Sequence, residues 1–143
     1  MSRIVKFFAA PDDESAATAL KGGPDGVLES VVFGNFDAEM SAIEWENILT
    51  GRGVEELMEA GEPREVAGGD DGFLVFAISH PLTVVLSGAV DDHMAEAAAR
   101  WVRARAEERE PIEIDVAEAI LTDMAALARG AVEAGLTLYC WMA

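Results

Sequence analysis

Residues 136–142, near the end of the sequence, most strongly limit what this chain can fold into. They are apolar or aromatic apart from one threonine, they carry no charge, and they predict a β-strand. Because side chains alternate along a strand, Leu138 and Cys140 face one side of the sheet, while Tyr139 and Trp141 face the other. Both faces are apolar, so both must be covered by other elements. We therefore expect this C-terminal strand to lie in the interior of a sheet.

An amphipathic helix is predicted directly before this strand, over residues 116–134. Its apolar face consists of residues at helical spacing: Ile120, Leu121, Met124, Leu127, Ala128 and Ala131. Asp115, with Glu118 three residues later, has the spacing of a capping box and would start the helix. Gly135 would end it, because glycine readily adopts the left-handed conformation of a helix C-cap.

The remaining segments alternate between predicted strands and predicted helices. Strands are expected at residues 3–9, 27–33 and 73–79. Helices are expected from Pro11 to the stop signal Gly22-Gly23-Pro24, from Asp37 as N-cap to Gly51, over residues 54–60, and from Asp91 or Asp92 to residue 108. Residues 61–72, with the glycine-rich turn at 68–72, are expected to form a loop.

Residues 82–86 are ambiguous. The Thr-Val-Val sequence within them favours a strand, whereas Pro81 is typical of the first turn of a helix. We favour the strand. With this choice the sequence predicts one α+β domain spanning residues 1–143, in which a small mixed sheet of four or five strands packs against four or five helices.

Composition excludes several classes of function. The chain has 10 Lys and Arg against 27 Asp and Glu, a net charge of −17, and both nucleic acids and anionic membranes repel such a surface. No apolar run approaches the roughly 20 residues of a membrane-spanning helix. The one cysteine, Cys140, cannot form an intrachain disulfide, which favours the reducing cytoplasm. An excess of arginine over lysine and abundant alanine indicate a bacterial genome of high GC content.

Two segments resemble a known family. Residues 45–51 have the sequence Trp-Glu-Asn-Ile-Leu-Thr-Gly, and residues 80–82 have His-Pro-Leu, followed by Leu-Ser-Gly at 86–88. Together with the closing helix and strand at 115–142, these segments resemble the YfbM-like uncharacterised bacterial proteins. The resemblance implies a compact α+β domain, and it implies no activity, because the function of that family is itself unknown.

The segment 36–65 is the first candidate for a binding surface. It contains nine acidic and two basic residues, and Trp45 lies within it. A large aromatic side chain among acids is one pattern of a surface that binds a basic protein. The candidate binding residues are Trp45, Glu46, Glu55, Glu56 and Glu59. The alternative is a half-buried core tryptophan on a helix whose outer face carries solvated acids.

The two histidines are the other candidates. His80 precedes Pro81 at the end of a predicted buried strand, where ligand sites often lie. His93, with Asp92 and Glu96, has a spacing that can hold a divalent metal or support general acid–base chemistry. The alternative for this second group is an exposed acidic first turn of a helix. No cofactor is predicted, and no metal site is favoured.

Four of the ten basic residues of the chain form a cluster in and just after one predicted helix. Arg100, Arg103, Arg105 and Arg109 alternate with Glu107, Glu108 and Glu110. We expect these side chains to form ion pairs along the surface of the helix.

Two hypotheses of function follow. The favoured one is a non-enzymatic protein-interaction module, of regulatory or immunity type, that binds a basic partner through its acidic surface. The alternative is a small-ligand or metal-dependent enzyme that uses His80 or His93 with nearby carboxylates. A homodimer is possible under either hypothesis, because small sheets with apolar helical flanks often pair.

Overall fold

The fold was analysed in a computed structural model that describes residues 4–20, 30–34, 37–68 and 72–143. The described elements follow in chain order: β1 (Ile4–Ala10), α1 (Asp13–Ala17), β2 (Ser30–Gly34), α2 (Ala38–Thr50), α3 (Val54–Glu59), β3 (Arg64–Gly68), β4 (Leu74–Ala77), α4 (His80–Gly88), α5 (Asp91–Glu107), α6 (Ile114–Ala134) and β5 (Thr137–Met142). The predicted α+β class is confirmed.

The five strands form one sheet in the order β2-β1-β5-β4-β3. The C-terminal strand β5 is therefore central, as its two apolar faces predicted. It pairs with β1 on one side, where Phe7 lies opposite Cys140, and with β4 on the other, where Phe76 also lies opposite Cys140. Every pairing among the described strands is antiparallel, so the prediction of a mixed sheet is wrong.

One face of the sheet packs against a layer of helices. Phe7, Phe76, Leu138 and Cys140 point into this layer and are fully or almost fully buried. The helices α2, α4, α5 and α6 supply the opposing side chains, among them Trp45, Leu82, Leu86, Trp101, Leu121 and Met124. Most of the core lies between this face and the helices. Helices α4 and α6 pack on the strands, whereas α2 packs mainly on α4 and α5, and α5 packs mainly on α6 and α2.

The opposite face of the sheet has a second, smaller core. Tyr139 stacks on Phe8 with ring centroids 5.7 Å apart, and Trp141 stacks on Phe73 at 6.0 Å. The segment that contains α1 covers part of this face, and Trp141 donates a hydrogen bond of 2.8 Å from its indole nitrogen to the carbonyl of Leu20. Both faces of β5 are therefore buried, with the alternation of side chains that the sequence predicted.

The ends of α2 agree with the sequence prediction. Asp37 accepts a hydrogen bond from the backbone N–H of Met40 at 3.1 Å and so caps the first turn. Gly51 ends the helix with φ of 81°, a conformation that a side chain would strain. Helix α6 also ends at a left-handed glycine, Gly135, but it begins after Glu113 without a side-chain cap. The predicted capping box at Asp115 is therefore wrong.

Residues 82–86 form part of the helix α4 and not the favoured strand. The side chain of Ser79 accepts a hydrogen bond from the N–H of Leu82 at 3.2 Å and caps the helix. Pro81 lies in the first turn, where its missing N–H costs no helical hydrogen bond. Leu82 and Leu86, one turn apart, are buried against the core. This burial outweighs the strand propensity of Thr-Val-Val.

Strand β3 lies inside the segment that was predicted to be a loop. It is an edge strand, its pairing with β4 is irregular between Glu65 and Ala67, and its side chains are exposed or half-buried. Its weak apolar pattern explains why the sequence did not indicate it. The predicted helix stop at residues 22–24, the start of the strand predicted at 27–33 and the centre of the turn at 68–72 lie outside the described residues.

Replacing Leu138 with alanine should destabilise the protein by about 2–5 kcal/mol, because the side chain is completely buried at the centre of the sheet. Chemical denaturation monitored by circular dichroism measures this loss. Val132→Ala on the exposed side of α6 is the control, and it should change the free energy of unfolding by less than about 0.5 kcal/mol. Equal stability of the two variants would show that β5 is not the core strand.

Candidate functional site

Trp45 is a core residue and not a surface anchor. Its side chain is 1% exposed. Its ring meets that of Trp101 edge-on, with centroids 5.1 Å apart, and lies 5.7 Å from the ring of Phe7. Trp45 falls on the same helical stripe as Ala38 and Ala42, which turns it toward the sheet. The prediction that Trp45 binds a partner directly is therefore wrong.

Glu46 is also buried, with 3% exposure, although it was predicted to belong to the binding surface. Its carboxylate accepts hydrogen bonds from Arg52 at 2.7 Å and from the hydroxyl of Ser79 at 2.5 Å. Because Ser79 also caps α4, Glu46 connects α2 to the start of that helix. Glu46 therefore has a structural role, and the prediction that it belongs to the binding surface is wrong.

A second buried ion pair lies on the other side of α2. Arg105 is 2% exposed and donates two hydrogen bonds of 2.8 Å, from Nε and Nη2, to the two carboxylate oxygens of Glu44. Its remaining terminal nitrogen, Nη1, donates to Glu110 at 2.8 Å. Burial alone would lower the pKa of Arg105, but the hydrogen bonds and charge of Glu44 raise it overall. One local signal indicates that Arg105 is buried: it lies one turn after Trp101 on the apolar stripe of α5.

The other candidate acids remain at the surface. Glu55, Glu56 and Glu59 are exposed on α3, and Met58 beside them is 58% exposed. Met58, but none of these three glutamates, lines an open groove, here called the acidic groove, with a volume of about 360 Å³. The acidic groove is lined by Asp37, Glu39, Met40, Ile43, Met58, Glu62 and Pro63.

Glu62 of this groove has a pKa that is raised by its surroundings. Partial burial raises its pKa, and the nearby charge of Glu46 raises it further, while Arg52 and Arg64 oppose these effects. A cation that entered the groove would favour the charged form of Glu62. The groove therefore combines an apolar lining of methionine, isoleucine and proline with the carboxylates of Asp37, Glu39 and Glu62.

The histidines do not form one site. His80 is the exposed first residue of α4, whereas His93 is an exposed residue of α5 and lines a cavity of about 270 Å³ that does not include His80. Glu96 lines the same cavity, but Asp92 does not. Among the described residues, no group of three or more potential ligands is placed to hold a metal ion. Within the described ranges, His80 and His93 therefore do not line one pocket together.

The predicted ion pairs along α5 are mostly not formed. Within the described residues, Arg105 is the one arginine of that cluster that pairs with a carboxylate, and its main partner is on α2. Arg100 instead donates to the carbonyl of Ile48 at 3.4 Å. Arg100 and Arg103 line a groove of about 490 Å³ between α2 and α5.

A polar cluster lies on the face of the sheet that α1 covers, and sequence reasoning missed it. Asp13 accepts two hydrogen bonds from Arg64, at 2.6 and 3.1 Å, and one from the hydroxyl of Tyr139 at 2.8 Å. Arg64 lowers the pKa of Asp13, and Tyr139 lowers it further. Burial and the hydrogen bond to Asp13 raise the pKa of Tyr139 to about 12. The three residues are far apart in sequence, so no local pattern indicates that they meet.

Comparison with known proteins adds no assignment, since no protein-family model, no curated protein and no solved structure matches this chain. The resemblance to YfbM-like proteins stays a prediction. Among the described residues, no helix is long and apolar enough to cross a membrane.

Arg105→Met should destabilise the protein by about 3–5 kcal/mol, because it leaves the buried carboxylate of Glu44 without its partner. Urea denaturation measures the change. Arg103→Met, two residues away on the same helix but exposed, is the matched control and should have little effect. Similar losses in the two variants would argue against a structural role for the Glu44–Arg105 pair.

The chain has one tyrosine, so the tyrosinate absorbance band reports on Tyr139 alone. The pH at the midpoint of the Tyr139 titration should lie near 12. The pKa of Tyr139 in the folded protein exceeds the usual tyrosine value of about 10, so the folded state favours the neutral phenol. The neutral phenol therefore stabilises the fold fully below about pH 10. This stabilisation is lost as the pH rises through about 12.

Asp13→Ala should lower the midpoint of Tyr139, since it removes a carboxylate that favours the neutral phenol. Glu118→Ala, on the exposed face of α6, is the control and should leave the midpoint unchanged. An unchanged midpoint in Asp13→Ala would contradict the described contact.

Proposed function

We propose that this protein is a non-enzymatic interaction module, of regulatory or immunity type, that binds a basic segment of another protein in the acidic groove. The observation that carries the proposal is the combination of an open methionine-containing groove with surface carboxylates at the start of α2 and on α3. The single cysteine, Cys140, is a buried free thiol, which is consistent with action in the reducing cytoplasm.

The charge around the groove favours a cationic partner. Glu55, Glu56 and Glu59 form no ion pair with any described residue. The two basic residues of the same segment are already paired, Arg52 with Glu46 and Arg64 with Asp13. The acids on α3 therefore retain their negative potential, which accelerates encounter with a cation and repels polyanions.

The apolar residues of the groove give the partner a surface to bury. Met58 is largely exposed, and Met40 and Ile43 lie deeper in the same groove. Methionine side chains are flexible and adapt to partners of different shape. In this proposal Met58 takes the anchoring role that the sequence assigned to Trp45, while the carboxylates steer the basic partner.

The proposal predicts how rates respond to substitution. The probe is a synthetic amphipathic helix of leucine and lysine, and binding is followed by surface plasmon resonance at low and moderate salt. The triple variant with Glu55, Glu56 and Glu59 changed to Gln should associate about tenfold more slowly at low salt, with a smaller effect as salt rises. Met58→Ser should instead accelerate dissociation, because it removes buried apolar contact.

A charge-matched control separates the acidic groove from the general acidity of the chain. It changes three exposed acids of α6 to their amides: Glu118, Asp123 and Glu133. This variant has the same net charge as the α3 variant and should bind like the unmodified protein. If both triple variants slow association equally, the charge acts diffusely and the groove has no recognition role.

A further inference from the structure

A small cavity between the end of α2, the end of α4 and the first turns of α5 is separate from the acidic groove. Its volume is about 270 Å³. Ile48, Leu49, Val85 and Ala97 give it an apolar wall. Three chargeable side chains of α5 line it as well: His93, Glu96 and Arg100.

The three chargeable residues lie on one face of α5. They occupy positions three and four residues apart, so their side chains follow one another along the helix. Glu96 and Arg100 have the spacing and the order that normally favour an ion pair, yet they do not pair with each other. Arg100 instead donates to the carbonyl of Ile48, which places its guanidinium at the wall formed by α2.

We propose that this cavity binds an apolar α-amino acid. The carboxylate of the ligand would accept hydrogen bonds from Arg100, whose planar guanidinium has donors left beyond its contact with Ile48. The ammonium group would bind Glu96. The two residues are four positions apart, about 6 Å along the helix axis, so a zwitterion with adjacent charges fits between them. The side chain of the ligand would pack on the apolar wall.

The composition of the cavity favours binding over catalysis. None of the nine described residues that line it carries a hydroxyl or a thiol, so it presents no nucleophile from a serine, threonine or cysteine. Its volume suits a branched aliphatic side chain, and a charged side chain would have to be desolvated against Ile48, Leu49 and Val85. The proposed ligand class is therefore the branched-chain amino acids, for which L-leucine is the probe.

Isothermal titration calorimetry with three ligands of the same shape tests the two charge contacts. L-leucine carries both charges, 4-methylpentanoate lacks the ammonium group, and 3-methylbutylamine lacks the carboxylate. L-leucine should bind about tenfold or more tightly than either analogue, because each analogue forgoes one charged hydrogen bond. Absence of leucine binding at millimolar concentration, or equal binding of all three ligands, would overturn the proposal.

Two variants assign the contacts to residues. Glu96→Gln should remove the preference for L-leucine over 4-methylpentanoate and leave the binding of 4-methylpentanoate itself intact. Arg100→Met should remove the preference for L-leucine over 3-methylbutylamine. A general loss of structure would weaken every ligand together and could not produce these opposite selectivities.

Arg103→Met is the matched control, because Arg103 lies on the same helix but does not line this cavity. It should bind L-leucine like the unmodified protein. Equal weakening by Arg103→Met and Arg100→Met would show that the arginines act through general charge, which would overturn the proposed site.

Discussion

The burial of β5 on both of its faces is the constraint on which the rest of the structure depends. A central strand with Leu138 and Cys140 on one side and Tyr139 and Trp141 on the other requires cover on both. Four helices provide it on one side, and the segment around α1 contributes to it on the other. Because Trp45 and Trp101 meet above the helical face, α2 and α5 are held side by side. The grooves along these helices are consequences of that contact.

Helix α2 distributes its acidic residues unevenly between interior and surface. Glu44 and Glu46 flank Trp45 in sequence and are turned inward, where Arg105, Arg52 and Ser79 satisfy them. A buried ion pair contributes little net stability compared with an apolar pair, but a missing partner is costly. These pairs therefore fix how α2 sits against α5 and α4. The acids that remain at the surface, on α3 and at the start of α2, give the acidic groove and its surroundings their negative charge.

Local sequence patterns predicted most of the fold and little of the candidate site. Alternation located β5, and helical periodicity with Asp37, Gly51 and Gly135 located α2 and the end of α6. Helix α4 was missed because its burial, which outweighs strand propensity, depends on neighbours that are distant in sequence. Trp45 was assigned to the surface for the same reason: acidic neighbours in sequence do not reveal Arg105 or Arg52 as partners in space. The Glu44–Arg105 pair joins residues 61 positions apart on different helices, so no local spacing in the sequence encodes it.

Strand β3 forms one edge of the sheet and makes that edge a poor partner for a further strand. It lies at the edge, and its irregular register between Glu65 and Ala67 disturbs the ladder that a foreign strand would have to join. Arg64 at its start is paired with Asp13 of α1. Bulges and charges at an edge are the features by which natural sheets resist pairing with another chain. On this side the sheet is thus protected from strand-to-strand aggregation.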